Sequence, residues 1–373
     1  MNILVTGAKG FLGKNFVAYL KTIKSSIDSS DYNIFEYDTD CEISAIDEFT
    51  KECDFVFHFA GVNRAKNDED YTCGNAGFTK LLITCLKKNN NKSPIVMSST
   101  IQVVMDNPYG KSKKAGEDLL LEFSRENSNP VCIYRLPNIF GKWGRPNYNS
   151  VVATFCHNIS RGLDIKINDP NAKVTFVYID DIIKQFVNML ESREYHEFCE
   201  ILNTYNTTVG ELAKLIYSFK DSRENKLIPD LKDEFINKLY SVYLSYLSED
   251  DFSYPLKMNI DDRGSFTEFI KTPDRGQVSV NISKPGIIKG EHWHMTKNEK
   301  FLVVSGSGVI RFRKIGNKEI IEYHVSGEKL EAVDIPAGYT HNIENTGSCD
   351  MVTVMWASEQ FDPENPDTIY EKV

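Results

Sequence analysis

The 373-residue chain has no apolar run approaching the roughly 20 residues that a bilayer-spanning helix needs, which excludes such a span. Nor has it an excess of basic side chains: 43 Lys and Arg stand against 53 Asp and Glu, a net charge of −10. That balance excludes a general binder of nucleic acid or anionic membranes and leaves room for a local basic site that takes a phosphate. The eight cysteines contain no C-x-x-C pair and lie scattered at positions 41, 53, 73, 85, 132, 156, 199 and 349. No charged leader or cleavage site precedes the strand-like Met1–Val5. Scattered cysteines in a leaderless chain fit a reducing cytoplasm, the expected location. Internal repeats and low-complexity tracts are absent too; Asn89–Asn91 reads as a loop.

What is present is soluble globular material, 41% hydrophobic and 26% charged, in a chain too long for one ordinary core. Strand-like runs at 3–6, 34–37, 55–59, 95–98 and 131–134 alternate with helix-like stretches at 13–21, 79–88 and 112–125. A further strand at 173–177 and helix at 180–191 continue the pattern, and 209–219 and 230–247 are helix-rich. Such alternation predicts a doubly wound parallel sheet with helices on both faces, a Rossmann-like α/β fold. From about Met258 the pattern becomes short strands at 277–282, 299–304, 308–313, 320–325, 331–335 and 351–356. Recurring Gly turns separate them, which predicts an all-β sandwich or barrel. The expected organisation is residues 1–247, a polar linker at 248–257, and residues 258–373.

Residues 7–13 read Gly-Ala-Lys-Gly-Phe-Leu-Gly between a strand and a helix. Gly7 permits the tight turn, Gly10 lets the backbone approach a pyrophosphate, and Gly13 lets helix and strand pack closely. The helix N-terminus then offers free N–H groups to phosphate. Further on, Tyr109 and Lys113 stand four apart on one helix face, with Ser98-Ser99-Thr100 upstream at a strand end. An adjacent ammonium and the positive ring of an oxidised nicotinamide are expected to lower the phenol. A fall from about 10 to about 7 would favour the phenolate by roughly 4 kcal/mol. A strand-end hydroxyl would donate to a substrate carbonyl oxygen. Asp38, closing the second strand, suits a ribose 2′-hydroxyl and favours NAD, whereas Lys9 could meet a 2′-phosphate.

The G-x-x-G-x-x-G spacing resembles the short-chain dehydrogenase/reductases. With His58-Phe59-Ala60-Gly61, Asn75-Ala76-Gly77, Arg135-Leu136-Pro137-Asn138 and Tyr178-Ile179-Asp180-Asp181, the first 245 or so residues resemble the extended members that act on nucleotide sugars. The resemblance implies a catalytic set of Thr100, Tyr109 and Lys113, with Ser99 the alternative to Thr100. It implies cofactor contacts from Gly7, Lys9, Gly10, Phe11, Leu12, Gly13, Asp38 and Ala60 as well as Tyr109 and Lys113. Asn138 and Arg135 would face the substrate, and Asn75 reads equally as a site residue or a hydrogen-bonded core residue.

The second half carries G-x5-H-x-H-x4-E-x6-G from Gly286, then P-x-G-x2-H-x3-N from Pro336. Side chains alternate along a strand, so His292 and His294 share one face. His292, His294, Glu299 and His341 form a donor set suited to zinc, iron, manganese or nickel, with zinc preferred. These motifs resemble the cupins, although Leu330 replaces the leading Gly of the second motif. Asp261-x-Arg263-Gly264-x-Phe266-x-Glu268 and Lys289-Gly290-Glu291-His292 resemble the sugar 3,5-epimerases, themselves cupins, in which a His at the position of His292 is the base. A metal-bound imidazole cannot take a proton. Either the metal polarises the ketone and Lys289, Tyr339 or Glu291 is the base, or the site works without metal.

A 4-keto nucleotide sugar would need both halves. Its ketone acidifies C3–H for a cupin and is the group a nicotinamide reductase consumes, so epimerisation must precede reduction. The whole chain, including Gly141-Lys142-Trp143 and Lys271-Thr272-Pro273-Asp274-Arg275, resembles the bifunctional CapF-type enzymes of capsule and O-antigen precursor synthesis. That implies C3 epimerisation of a UDP-linked 4-keto-2-acetamido-2,6-dideoxy-L-hexose, then C4 reduction to UDP-2-acetamido-2,6-dideoxy-β-L-talose. The family's cofactor is NADPH, with NADH also compatible here, and the family implies a homodimer through the cupin half. The alternative is a single-activity nucleotide-sugar reductase or epimerase whose cupin binds metal and dimerises without catalysis. A non-catalytic dinucleotide sensor would need the Gly turn but not Tyr109.

Overall fold

The computed structural model describes residues 1–26, 32–364 and 366–373. Two compact units are present: residues 1–216 with 241–247, and residues 217–240 with 248–373.

The first unit opens with β1 (Asn2–Thr6), α1 (Phe11–Ser26), β2 (Asn33–Tyr37), α2 (Ile43–Glu52), β3 (Phe55–His58), α3 (Asp68–Thr72) and α4 (Phe78–Lys88). It continues with β4 (Ile95–Thr100), α5 (Pro108–Asn127) and β5 (Val131–Leu136). The five strands form one parallel sheet in the order β2-β1-β3-β4-β5. The side chains of β1, β3, β4 and β5 are buried on both faces, as a parallel sheet covered by helices requires, and the edge strand β2 is partly exposed. One apolar cluster joins β1, β3 and α1 to a later helix through Phe16, Phe57 and Phe186, and a second joins the other face to α4 and α5 through Leu82, Leu86 and Leu120. The strand order reverses beside β1, so the carboxyl ends of β1 and β3 open a crevice where ligands bind in such sheets. A separate small sheet holds β6 (Asn138–Phe140), β7 (Lys173–Tyr178) and β8 (Thr204–Thr208), with α6 (Val151–Ser160) and α7 (Ile179–Ser192) between them and α8 (Val209–Asn225) and α9 (Glu234–Leu244) after.

The strands of the second unit all pair antiparallel: β9 (Asn259–Asp261), β10 (Gly264–Lys271), β11 (Gln277–Ser283), β12 (Ile288–Trp293), β13 (Glu299–Ser305), β14 (Ser307–Lys314), β15 (Ile320–Ser326), β16 (Ala332–Ile335), β17 (Tyr339–Asn345), β18 (Met351–Ala357) and β19 (Ile369–Tyr370). They make two sheets, β16-β13-β18-β11-β10-β9 and β15-β14-β17-β12-β19. Phe301, Val303, Ile310, Phe312, Ile335 and Ile343 form an apolar core there. The inward face of β11 is polar instead, with Gln277, Ser279, Asn281 and Ser283 all buried. A barrel interior lined this way encloses a ligand cavity rather than a packed core.

The boundary expected at 248–257 is not the only place where the chain passes between units. Residues 217–240, expected in the first domain, cluster with the second. The cause is local: Ile228 N–H donates to Lys271 O at 2.9 Å, Lys271 N–H donates to Lys226 O at 2.8 Å, and Lys226 pairs with Glu268 at 3.4 Å. Among the described residues no helix is long and apolar enough to cross a membrane.

Candidate active sites

In the first unit the Gly turn links β1 to α1. Gly7 has φ +70°, and a Cβ on it would lie 2.7 Å from Ala60 N. A Cβ on Gly13 would fall 2.1 Å from the Gly7 carbonyl oxygen. These two glycines are therefore demanded by backbone approach alone. Gly10 meets only the Gly7 carbonyl oxygen, at 3.1 Å, so its other side is open to a ligand. The first helical bond runs from Lys14 N–H to Gly10 O at 2.8 Å, which leaves the amides of Phe11, Leu12 and Gly13 as the free donors of a helix start. Asp38 accepts the Lys9 backbone N–H at 2.7 Å, tying the end of β2 to the turn. The Lys9 ammonium, proposed for a 2′-phosphate, is instead paired with Asp40.

Thr100 ends β4, and Tyr109 lies in the first turn of α5. Asn107 caps that helix by accepting Gly110 N–H at 2.7 Å, and Pro108 occupies its first position. Burial pushes the Tyr109 phenol above its ordinary value, while a side-chain hydrogen bond with Thr100 acts in the opposite sense. Ser99 points away from this pair, donating to Glu117 Oε1 at 2.6 Å. The strand's alternation thus gives Thr100, not Ser99, to Tyr109.

Lys113 is 5% exposed and donates to Ser98 O at 2.7 Å. Burial pushes it down to about 8, against the Glu117 carboxylate that raises it. The ammonium expected to lower Tyr109 is therefore directed at a carbonyl, and the phenol is raised rather than lowered.

Two residues of the expected substrate face separate. Asn138 is exposed on β6, its amide donating to Thr175 O at 3.2 Å. Arg135 forms a two-pronged pair with buried Glu117, at 3.0 and 2.6 Å, and its guanidinium lies 4.5 Å from the Phe198 ring. Asn75 resolves to a hydrogen-bonded core residue: it bonds both backbone groups of Val62 and the Ser112 hydroxyl. His58 is likewise structural, bonded to Thr6 and Thr79 and pushed down to about 3 by burial and by Lys113. Glu117 was missed by the sequence reading. Its signal was available, since Tyr109, Lys113 and Glu117 recur at every fourth position of one helix face.

In the second unit, His292 on β12 is the direct cross-strand partner of His341 on β17, their rings 4.6 Å apart. A bulge between Gly290 and His292, with Glu291 at φ +60°, turns the strand toward the cavity. Gly338 N–H donates to His294 O at 2.9 Å, joining the segment of His292 and His294 to that of His341. Asp367 accepts the backbone N–H groups of Met295, Thr296 and Lys297 at 2.8–2.9 Å and so pins the turn between His294 and Glu299. Desolvation opposes these donors, yet they hold its carboxyl well below the usual range.

The four expected ligand atoms lie within 4.8 Å of one another. Glu299 Oε2 is 3.5 Å from both His294 Nε2 and His341 Nε2, which are buried without a hydrogen-bond partner. A tetrahedron of donors about 2.1 Å from a metal has edges of about 3.4 Å, so the spacing fits an ion better than hydrogen bonds. The His294 Nδ1 faces the Asp367 carbonyl, which orients the ring and leaves Nε2 for the cavity. Burial, then His341 and His294, push His292 down to about 4, the neutral form that a ligand needs.

His292, Glu299 and His341 line a cavity of about 820 Å³, together with Lys289, Lys297, Asn281 and Gln277. Of the expected bases, Lys289 donates to Asn281 Oδ1 and Ile282 O at 2.8 Å, and Glu291 accepts from Asn342 and from Val373 N–H. Tyr339 packs against the apolar core. Lys297, which the sequence reading passed over, is 8% exposed and lies 3.9 Å from Glu299 Oε1.

The fold and the two sites define a class: a Rossmann-type nicotinamide enzyme joined to a cupin-like module with a His and Glu cluster. Residues 3–203 match the NAD dependent epimerase/dehydratase family and residues 259–369 the polysaccharide biosynthesis C-terminal domain. The chain is 41% identical to UDP-2-acetamido-2,6-beta-L-arabino-hexul-4-ose reductase of Pseudomonas aeruginosa, over 99% of this chain and 98% of that protein. The crystal structure of the capsular polysaccharide assembling protein CapF of Staphylococcus aureus matches with a TM-score of 0.92 at 53% identity, covering 100% of both chains. UDP-glucuronic acid 4-epimerase of Bacillus cereus with NAD shares only the fold, at a TM-score of 0.51, 20% identity, and 60% and 85% of the two chains. The chain belongs to the NAD dependent epimerase/dehydratase family and, over its whole length, is CapF-like. It is a nucleotide-sugar reductase/epimerase-type enzyme that uses a nicotinamide cofactor.

Proposed function

We propose that this enzyme first inverts C3 of a UDP-linked 4-keto-2-acetamido-2,6-dideoxy-L-hexose in the cupin unit, then reduces C4 in the Rossmann unit. The product is UDP-2-acetamido-2,6-dideoxy-β-L-talose, a precursor for capsule or O-antigen. The observation that carries the reading is the cluster of His292, His294, Glu299 and His341, three of which line a cavity, on the same chain as Thr100, Tyr109 and Lys113. A reductase of the P. aeruginosa relative's named kind needs only the second set.

In epimerisation the C3 proton leaves, its electron pair delocalises onto the C4 oxygen, and a proton returns to the opposite face. His292, His294, Glu299 and His341 would hold a divalent ion, zinc by preference, which when bound supplies a Lewis acid for the C4 oxygen. In reduction, a bound NADPH, or NADH, supplies hydride to C4. Tyr109 then gives its phenolic proton to the C4 oxygen while the Thr100 hydroxyl donates a hydrogen bond to it, and Lys113 adds positive charge beside them. The raised phenol suits a donor of protons in this direction. The Gly7–Gly13 turn, Asp38 and Ala60 would hold the dinucleotide, and Asn138 the sugar nucleotide.

We place the enzyme in the cytoplasm, with its free thiols as support. We also read it as a homodimer through the cupin unit, whose edge strand β15 exposes Ile320, Ile321 and Tyr323. A second reading, a single-activity enzyme with a non-catalytic cupin, is favoured by one observation: Lys289 and Glu291 are engaged by protein partners. Incubating the keto sugar nucleotide in deuterated water without nicotinamide separates the two. Deuterium entering C3 supports epimerisation, and no incorporation leaves the single-activity reading.

A further inference from the structure

We propose that Arg64, Arg145 and Tyr148 form the seat for the diphosphate of a nucleoside diphosphate sugar. Both guanidiniums approach one aromatic ring: Arg145 lies 4.8 Å and Arg64 5.9 Å from the Tyr148 centroid. Arg64 also donates to the Tyr148 carbonyl oxygen, so the loop after β3 is tied to the loop before α6. Two like charges gathered on one ring repel each other, and such a pair ordinarily recruits a carboxylate. Acidic side chains outnumber basic ones by ten in this chain, yet no carboxylate among the described residues forms an ion pair with either guanidinium. Both guanidiniums are exposed, Arg64 keeps the N–H groups that the Tyr148 carbonyl does not take, and the corner so presents two planar forks that match phosphate oxygens.

The location supplies the second half of the argument. Gly61 touches the catalytic neighbourhood: a Cβ on it would lie 3.5 Å from Lys113 Nζ. Three residues of chain span at most about 10 Å. The Arg64 backbone is thus within about 15 Å of the Lys113 ammonium, a span that the sugar ring and diphosphate of a nucleotide sugar can bridge. Val62, between them, is fixed by two hydrogen bonds to Asn75, which itself bonds Ser112 on α5. The loop therefore carries Arg64 at a set distance from the proton donor rather than on a free tether. A substrate with its keto carbon at Tyr109 would project its diphosphate toward the two arginines, with Tyr148 holding their planes.

This inference rests on the nucleotide-sugar reading and names the residues that recognise the nucleotide end. The test is isothermal titration of the full chain with UDP, and separately with NADPH, for wild type, Arg64→Ala, Arg145→Ala and Arg145→Lys. The expected result is UDP binding by wild type that weakens about tenfold or more in each alanine variant, is partly recovered in Arg145→Lys, and falls with added salt. NADPH binding stays unchanged, which also shows that the variants are folded. Unchanged UDP affinity in both alanine variants overturns the proposal, as does loss of NADPH rather than UDP binding. No UDP binding by wild type overturns it too. Wild type that binds UDP through these arginines but turns over no keto sugar would preserve this seat and remove the proposed reaction instead.

Discussion

The Lys113 ammonium donates to the Ser98 carbonyl at 2.7 Å. It is buried, and in the proposed reductase site it sets a protonated Tyr109 phenol beside a cation whose charge is easily lost. Lys113 is charged below about 8 and neutral above it, whereas Tyr109, raised above its ordinary value, keeps its proton throughout. The reductive kcat/KM is therefore expected to decline as pH rises through about 8, and to be flat below it down to the range where other groups titrate. A pH profile of C4 reduction checks this. A decline that sets in only above pH 10 would assign it to Tyr109 instead.

Removing the proton donor separates the two activities. Tyr109→Phe is expected to slow C4 reduction by about 100- to 10,000-fold while C3 proton exchange in deuterated water continues at the wild-type rate. Both are read from one sample by mass spectrometry with and without the nicotinamide. Loss of exchange together with reduction would mean that the two sites do not act independently.

The ligand cluster predicts a metal content. Wild type is expected to carry about one divalent ion per chain, and His341→Ala or Glu299→Gln to lose most of it, measured by elemental analysis. Chelation should also lower the melting temperature, since an ion at about 100 times its Kd stabilises the folded state by about 2.7 kcal/mol. Wild type purified without any bound ion, and unmoved by added zinc, would contradict the assignment.

Arg135 supports a prediction of a different kind. It braces a fully buried carboxylate, so Arg135→Ala is expected to cost about 2 kcal/mol or more, less than the loss from a wholly enclosed pair because the side chain is 36% exposed. Denaturant unfolding measures it. A stable variant with a raised KM for the sugar nucleotide would restore the substrate role that the sequence suggested.

Gly13 carries the tightest backbone approach of the turn. Gly13→Ala places a methyl 2.1 Å from the Gly7 carbonyl oxygen and is expected to destabilise the first unit by about 1–3 kcal/mol and to weaken NADPH binding. Gly10→Ala, whose methyl would lie 3.1 Å from the same oxygen, should cost less stability than Gly13→Ala while also weakening cofactor binding. Thermal melts with and without cofactor distinguish them.

The contrast between these residues shows what was legible beforehand. The roles of Gly7 and Gly13 follow from local backbone geometry, and the gathering of the His and Glu side chains from strand alternation and spacing. Both were readable because the physics is short-range. The short β6 and the threonine-rich β8 were not, since neither carries a period long enough to register. The roles of Arg135, Ser99 and Lys113 depend on what α5 brings across the sheet. Glu117 captures the first two and Ser98 O the third; the four-residue recurrence places Glu117 on the helix face, but no local pattern names the partners it meets across the sheet. Likewise, residues 217–240 read as helix but join the second unit through backbone bonds at Lys271.

The central claim is an order of events: inversion at C3, then reduction at C4. It is tested most directly by giving the full-length enzyme the UDP-linked 4-keto sugar and NADPH in deuterated water and locating the label in the product by NMR. The account predicts a talo-configured product with one deuterium at C3 and none at C4. A reduced product that retains the substrate's C3 configuration and carries no deuterium at C3 would contradict it.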